Sequence, residues 1–198
     1  MQPLSKHQVG IALVAIMLVS CSRQQRRPQA GRASRADAAA IAKPTQLEWR
    51  STALAPALEV DILGGNTSVY QAGGPDDGTL IAGDSPVRIG IEWGPTATLA
   101  TWTAGAVKIL GAVVGTETSG TICGRPARRL EVTIPGHTAH FSGPNGEGDS
   151  VTPTELMIAH AFQVGSLPVV AFYIVSAEER DRFANDEMHF LTSIKCSP

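Results

Sequence analysis

The residues able to do chemistry are few and scattered. Of 5 histidines, two fall close together in His137-Thr138-Ala139-His140, with Glu147 and Asp149 in the segment that follows. A zinc or copper centre needs three or four such ligands at one point. On a strand, positions three apart face opposite sides, which argues against a shared metal. The segment reads as a surface loop, and no metal is assigned. His160 shares a face with Leu156, Ile158 and Phe162, which predicts a buried, hydrogen-bonded imidazole. His189 falls on the terminal helix and is expected to be exposed. Asp76-Asp77-Gly78 and Asp84 sit in turn contexts. Their spacing does not match a helix–loop–helix calcium loop, and Asp before Gly is ordinary turn chemistry. There is no G-x-S-x-G, no P-loop and no G-x-G-x-x-G, and the carboxylates form no evident acid/base pair. Asn66-Thr67-Ser68 matches a glycosylation sequon, and no role is assigned to it. No catalytic residue and no cofactor is nominated.

The 3 cysteines are more informative. Polar residues 1–8, with Lys6, precede an uncharged run from Val9 to Val19. As a helix those residues would span about 17 Å at roughly 1.5 Å per residue, short of the ~30 Å hydrocarbon core. Length and charge order fit the hydrophobic region of a signal peptide. The run closes on Leu18-Val19-Ser20-Cys21, which resembles the lipobox of bacterial lipoproteins. The resemblance implies that Cys21 receives diacylglycerol and becomes the mature N-terminus after cleavage behind the small Ser20. Two or three acyl chains would anchor the chain stably. Ser22 in place of Asp implies export to an outer membrane, facing the periplasm.

Beyond Cys21, residues 22–45 lack large apolar side chains and cannot bury enough surface to fold alone. As a flexible coil they would reach roughly 25–30 Å. This segment carries Arg23, Arg26, Arg27, Arg32, Arg35 and Lys43 against Asp37 alone. From Gln46 onward 9 basic residues face 17 acidic ones. The basic tether suits anionic head groups, while an acidic domain stays off them. A net charge of −2 gives no support to a broad nucleic-acid surface. Cys123 and Cys196 remain as a pair outside the cytoplasm, and they read as a disulfide stapling the C-terminus.

The elements that must position these groups can be read from periodicity. Leu58, Val60 and Ile62 alternate with Glu59 and Asp61. Val87, Ile89, Ile91 and Trp93 alternate with Arg88, Gly90 and Glu92; Leu130, Val132 and Ile134 alternate with Glu131 and Thr133. All three read as half-buried strands. Residues 155–164 and 167–175 form a hairpin turned at Gly165-Ser166. Its second arm is apolar on both faces, as expected for the middle of a covered sheet. Pro95 to Leu110 reads as a helix ended by Gly111. A second helix follows Ser176-Ala177-Glu178-Glu179, a capping box, with Phe183, Ala184, Met188, Leu191 and Ile194 as its apolar stripe. Loops are expected at Gly73–Gly78 and Ser142–Pro153.

The order of strands and helices predicts an α+β domain: an antiparallel sheet with helices packed on its faces, including a C-terminal helix. The division is 1–20 signal peptide, 21–45 lipidated tether, 46–198 globular domain. The helix Trp102–Leu110, the strand to Cys123, the turn Cys123-Gly124-Arg125-Pro126-Ala127 and the helix end Leu191-Thr192-Ser193-Ile194 resemble Mog1/PsbP-like domains. That resemblance implies a binding or assembly factor without an established catalytic site. The expected function is therefore a non-catalytic module of the cell envelope, joined to a membrane through Cys21 and to an envelope protein partner. A carrier of lipid or another apolar ligand ranks next. A metal-dependent hydrolase using His137, His140 and nearby acids ranks last.

Overall fold

The structure, a computed structural model, describes residues 47–64, 68–84, 86–143 and 146–197. Residues 1–45, expected as a signal peptide and a lipidated tether with Cys21, and Asn66-Thr67 lie outside the described residues. The unit opens with a hairpin, β1 (Trp49–Ala55) and β2 (Leu58–Leu63), and continues through β3 (Val69–Gly73), β4 (Gly78–Ala82) and β5 (Val87–Trp93). Helix α1 (Leu99–Leu110) follows, then β6 (Val113–Ile122), β7 (Arg125–Ile134), β8 (His137–Gly143), β9 (Gly146–Thr152), β10 (Glu155–Val164) and β11 (Leu167–Ser176). A 3₁₀ turn (Ala177–Glu179), helix α2 (Ala184–Ser193) and β12 (Lys195–Cys196) complete it. Seven strands form one antiparallel sheet in the order β3-β4-β5-β11-β10-β7-β6. β1, β2 and β12 make a second sheet, and β8 and β9 a separate ribbon.

The apolar run 167–175 occupies the centre of the large sheet, between β5 and β10. Alternate residues of a strand point to opposite faces, so its apolar character on both sides supplies two cores. Val169, Ala171, Tyr173 and Val175 share a buried cluster with Val60, Ile62, Phe183 and Phe190. Val170, Phe172 and Ile174 share the other with Leu99, Trp102 and Ala106 of α1. The Trp102 and Phe172 rings sit 5.3 Å apart, a favourable tilted pair. Among the described residues the architecture is sheet-dominated α+β with two α-helices, one near the C-terminus.

β5 departs from the expected half-buried strand, since every residue in it is buried. Gly90 explains part of this: a Cβ there would overlap the Phe172 ring, so the ring packs directly on the backbone. Helix α1 begins later than expected, at Leu99. Thr98 is its N-cap and accepts a hydrogen bond from Thr101 N at 3.1 Å, leaving Pro95 in the preceding turn. Gly111 ends the helix in the left-handed conformation (φ 62°), where a side chain is disfavoured.

The terminal segment also differs. Ser176 is buried as the last residue of β11 and makes no side-chain cap. Glu179 bonds Arg182 at 2.8 Å rather than the Ser176 backbone, so the expected capping box yields only a 3₁₀ turn. The α-helix starts at Ala184, buries Phe190 and leaves Met188 exposed. Residues 142–153, expected as a loop, instead belong largely to the β8–β9 ribbon.

Candidate functional site

A cavity of about 460 Å³ opens where the C-terminal end of α1 meets the ends of β5, β7 and β10. Its apolar wall comes from Ile109, Leu110, Ile134 and Pro135, and its polar groups from Arg88, Glu155, His137 and Thr152. Local chain properties place each wall. Gly111 halts α1 so that its last turn faces the opening. Pro135-Gly136 breaks β7 and diverts the chain into the ribbon, which brings His137 and Thr152 to the rim as a cross-strand pair. Volumes of roughly 300–1,000 Å³ with mostly apolar walls and a few fixed polar groups suit small ligands.

The floor is an ion pair. Arg88 Nη2 donates to Glu155 Oε2 at 2.5 Å, and the two side chains are only 8% and 13% exposed. Arg88 lies opposite Ile174, and Glu155 opposite Ser176, on the two sides of β11. The guanidinium therefore reaches across the central strand. Removing Arg88 from such a pair costs about 3–5 kcal/mol, because the Glu155 carboxylate is stranded.

The histidines separate. His137 lines the cavity, while His140 faces Asp149 across the ribbon, its Nδ1 2.8 Å from Oδ1 on the exposed surface. The Glu147 side chain lies outside the description. Among the described residues no group of three or more His, Cys, Asp or Glu stands close enough to hold a metal. His160 is buried as expected, yet its Nε2 has no hydrogen-bond partner among the described groups. Burial, reinforced by the charge of neighbouring Arg129, lowers its pKa to about 4, so it is a neutral ring. His189 packs against the Trp49 ring at 4.6 Å and lies 3.1 Å from Asp61 Oδ2. Asp77 and Asp84 serve turns through their carbonyls, which accept from Gly74 N and Val87 N.

A second polar group gathers near α2. Arg180 donates to both Glu131 oxygens at 3.1 and 2.9 Å, and Arg129 adds a bond at 3.2 Å. Burial would raise Glu131, but these bonds outweigh it and hold the carboxyl low. Glu187 is pushed up by burial, against the pull of Arg129 and Arg180. These contacts tie the 3₁₀ turn region to β7 and leave no open site.

Cys123 and Cys196 are joined, with Cα atoms 5.9 Å apart. Cys123 has φ 53° and Gly124 φ 69°, the pair of left-handed residues that a tight two-residue hairpin requires between β6 and β7. The turn thus presents Cys123 to β12.

The cavity is not legible in the sequence. Arg88 and Glu155 lie 67 positions apart, and Arg88 read as the polar side of a half-buried strand. A charged residue flanked by Val87 and Ile89, on a strand ending in Trp93, was the available signal.

Comparison with protein-family models and with curated proteins gives no match. Solved structures do give likenesses. Cyanobacterial PsbP from Synechocystis sp. PCC 6803 is 12% identical, with 79% of this chain and 96% of that one covered at a TM-score of 0.45. The Ran-binding protein Mog1p of Saccharomyces cerevisiae is 8% identical, covering 76% of this chain and 96% of that one at 0.41. A Pseudomonas aeruginosa protein of unknown function, described as a putative regulator, is 11% identical, with coverage of 76% and 98% at 0.40.

Proposed function

We propose that the chain is a non-catalytic binding module of the bacterial envelope, held at a membrane by lipid on Cys21. The cavity over the Arg88–Glu155 pair carries this reading, because it joins apolar walls to fixed polar groups in a recess open to solvent. The Leu18-Val19-Ser20-Cys21 run supports the anchor, and the basic residues 23–43 support a tether lying along anionic head groups. An envelope protein is the expected partner, at the periplasmic face of the outer membrane. Changing Cys21 to Ala should release the protein from membranes and abolish lipid labelling; unchanged labelling refutes the anchor. Crosslinking in intact envelopes should capture a reproducible partner, and filling the cavity with Ile134→Trp should reduce that capture. Repeated recovery of nothing counts against the module.

A second reading is a carrier of lipid or another apolar ligand. It is favoured by Val113 and Val151, which are 62% and 71% exposed and belong to the strands next to the cavity wall. Native mass spectrometry after gentle extraction tests it, since a protein free of bound lipid would remove it.

A further inference from the structure

We propose that the outer edge of β6 is a self-association surface, where a second copy of this chain adds its own β6 antiparallel and joins the two large sheets into one. The inference is independent of the cavity and of the anchor on Cys21.

β6 closes one side of the large sheet, and among the described residues no strand pairs with its other side. Every residue of Val113–Ile122 except Ile122 is exposed. A free edge presents unpaired N–H and C=O groups, and proteins guard it with short strands, Lys, Pro, bulges or a covering element. β6 uses little of this. It has 10 residues, against 5 in β3 at the opposite edge. It holds no Lys, Arg or Pro, and its single acid, Glu117, is bonded to Arg128 of the neighbouring β7. The bulge between Val114 and Glu117 leaves 117–122 a regular strand rich in Thr and Ser.

The turn fixes which backbone groups face out. Cys123 and Gly124 form a two-residue hairpin, so the flanking residues Ile122 and Arg125 are a hydrogen-bonded pair. Alternation then directs the backbone groups of Gly120 and Thr118 to β7, and those of Thr121, Ser119 and Glu117 to the free edge. Two copies related by a two-fold axis match these groups best when the axis passes between their Ser119 residues. Ser119 then pairs with Ser119, and Glu117 with Thr121, which uses every outward group from 117 to 121. The same register keeps the two Glu117 carboxylates apart, each opposite an uncharged Thr121, and so avoids a like-charge cross-strand pair. It also carries Val113 and Val114, 62% and 45% exposed, to the second copy's Cys123-Gly124 turn, covering apolar side chains at both ends of the seam. A foreign strand would match the backbone groups alone, whereas this edge is complementary to itself, as an isologous dimer requires. One strand pair is small beside interfaces of about 1,200–2,000 Å², so the dimer is weak, with a Kd on the order of 10–100 μM.

Sedimentation velocity of the full-length chain, with detergent micelles in excess, should show monomer passing to dimer across roughly 5–500 μM. Ser119→Lys sets like charges on the axis and should weaken association about ten-fold or more. Ser119→Pro removes an outward N–H without touching the bonds to β7, and should do the same. Thermal melts should place both variants near the parent chain. On mild oxidation Ser119→Cys should give a disulfide-linked dimer above the background of the parent chain, since paired Cα atoms would stand about 5.5 Å apart. Glu117→Cys alone should not, whereas Glu117→Cys mixed with Thr121→Cys should. A chain that stays monomeric across that range, or a dimer that Ser119→Lys and Ser119→Pro leave intact, would overturn the proposal. So would Glu117→Cys linking to itself as readily as to Thr121→Cys, or Ser119→Cys in envelopes capturing a different protein in place of a second copy.

Discussion

Reducing the Cys123–Cys196 bond should cost this domain a large part of its stability. The two residues are 73 apart in sequence. Closing a loop of that length removes chain entropy worth about 4 kcal/mol at room temperature. At roughly 2–4 °C per kcal/mol for a domain of this size, the melting temperature should fall by about 8–16 °C. Reduction is a cleaner perturbation than substitution, because Cys123 holds φ 53° and any replacement also changes a backbone cost. The loss should reach beyond the C-terminus. Among the described residues β12 pairs with β2 through Lys195 and Cys196, with Ser197 N donating to Ala57 O at 3.0 Å and the exposed Lys195 Nζ donating to Glu59 Oε1 at 2.8 Å. Without the bond these contacts fray, and Phe190 and Ile194 lose their clamp against the β1–β2 sheet. Urea unfolding with and without a phosphine reductant reads the effect. The reduced protein should show a lower midpoint and a steeper dependence on urea, as its unfolded chain is more expanded. A change below about 1 kcal/mol would refute the argument that the bond acts by restricting the unfolded chain.

Three further predictions concern the two cores and the cavity. Gly90→Ala should destabilise by about 1–3 kcal/mol through overlap with the Phe172 ring, and Phe172→Leu in the same chain should recover part of that loss in thermal melts. Stability against pH depends on two buried groups of opposite sign. Burial and the nearby Asp77 charge raise Glu92 from 4.5 to about 7, so its contribution is complete below pH 4.5 and is lost as pH rises through 7. Burial lowers His160 from 6.5 to about 4, so its contribution is present above pH 6.5 and is lost as pH falls through 4. The two slopes oppose each other between pH 4.5 and 6.5. Glu92→Gln should leave stability rising with pH there, and His160→Gln should leave it falling; a wild-type slope unchanged by either variant would refute the assignment. Arg88→Met should cost about 3–5 kcal/mol by stranding the Glu155 carboxylate, whereas removing both charges as Arg88→Met/Glu155→Leu should cost much less in chemical denaturation.

Much of the local structure was written in the sequence. Period-two alternation gave β2 and β7, and the Gly165-Ser166 turn gave the register of β10 with β11. The continuous apolar run 169–175 gave the central strand, because only a strand covered on both faces needs such a run. Gly111 gave the end of α1, and the even pair of remaining cysteines gave the staple. These features depend on residues adjacent in the chain or on simple chemistry.

Tertiary structure decided the rest, because the same residue pattern permits more than one partner. Arg88, Gly90 and Glu92 alternate as the polar face of a half-buried strand, yet β5 is buried throughout by its place beside β11. Ser176 and Glu179 hold the spacing of a capping box, yet Ser176 is drawn into β11 and the helix begins at Ala184. Residues 146–152 are polar and glycine-rich, yet they pair with β8. The histidine pair that invited a metal is split by the pleat of one strand, with His137 turned to the cavity and His140 to Asp149. The cavity is the clearest case. Its ion pair joins residues 67 apart across a strand that belongs to neither, a relation that strand order creates and no local spacing encodes.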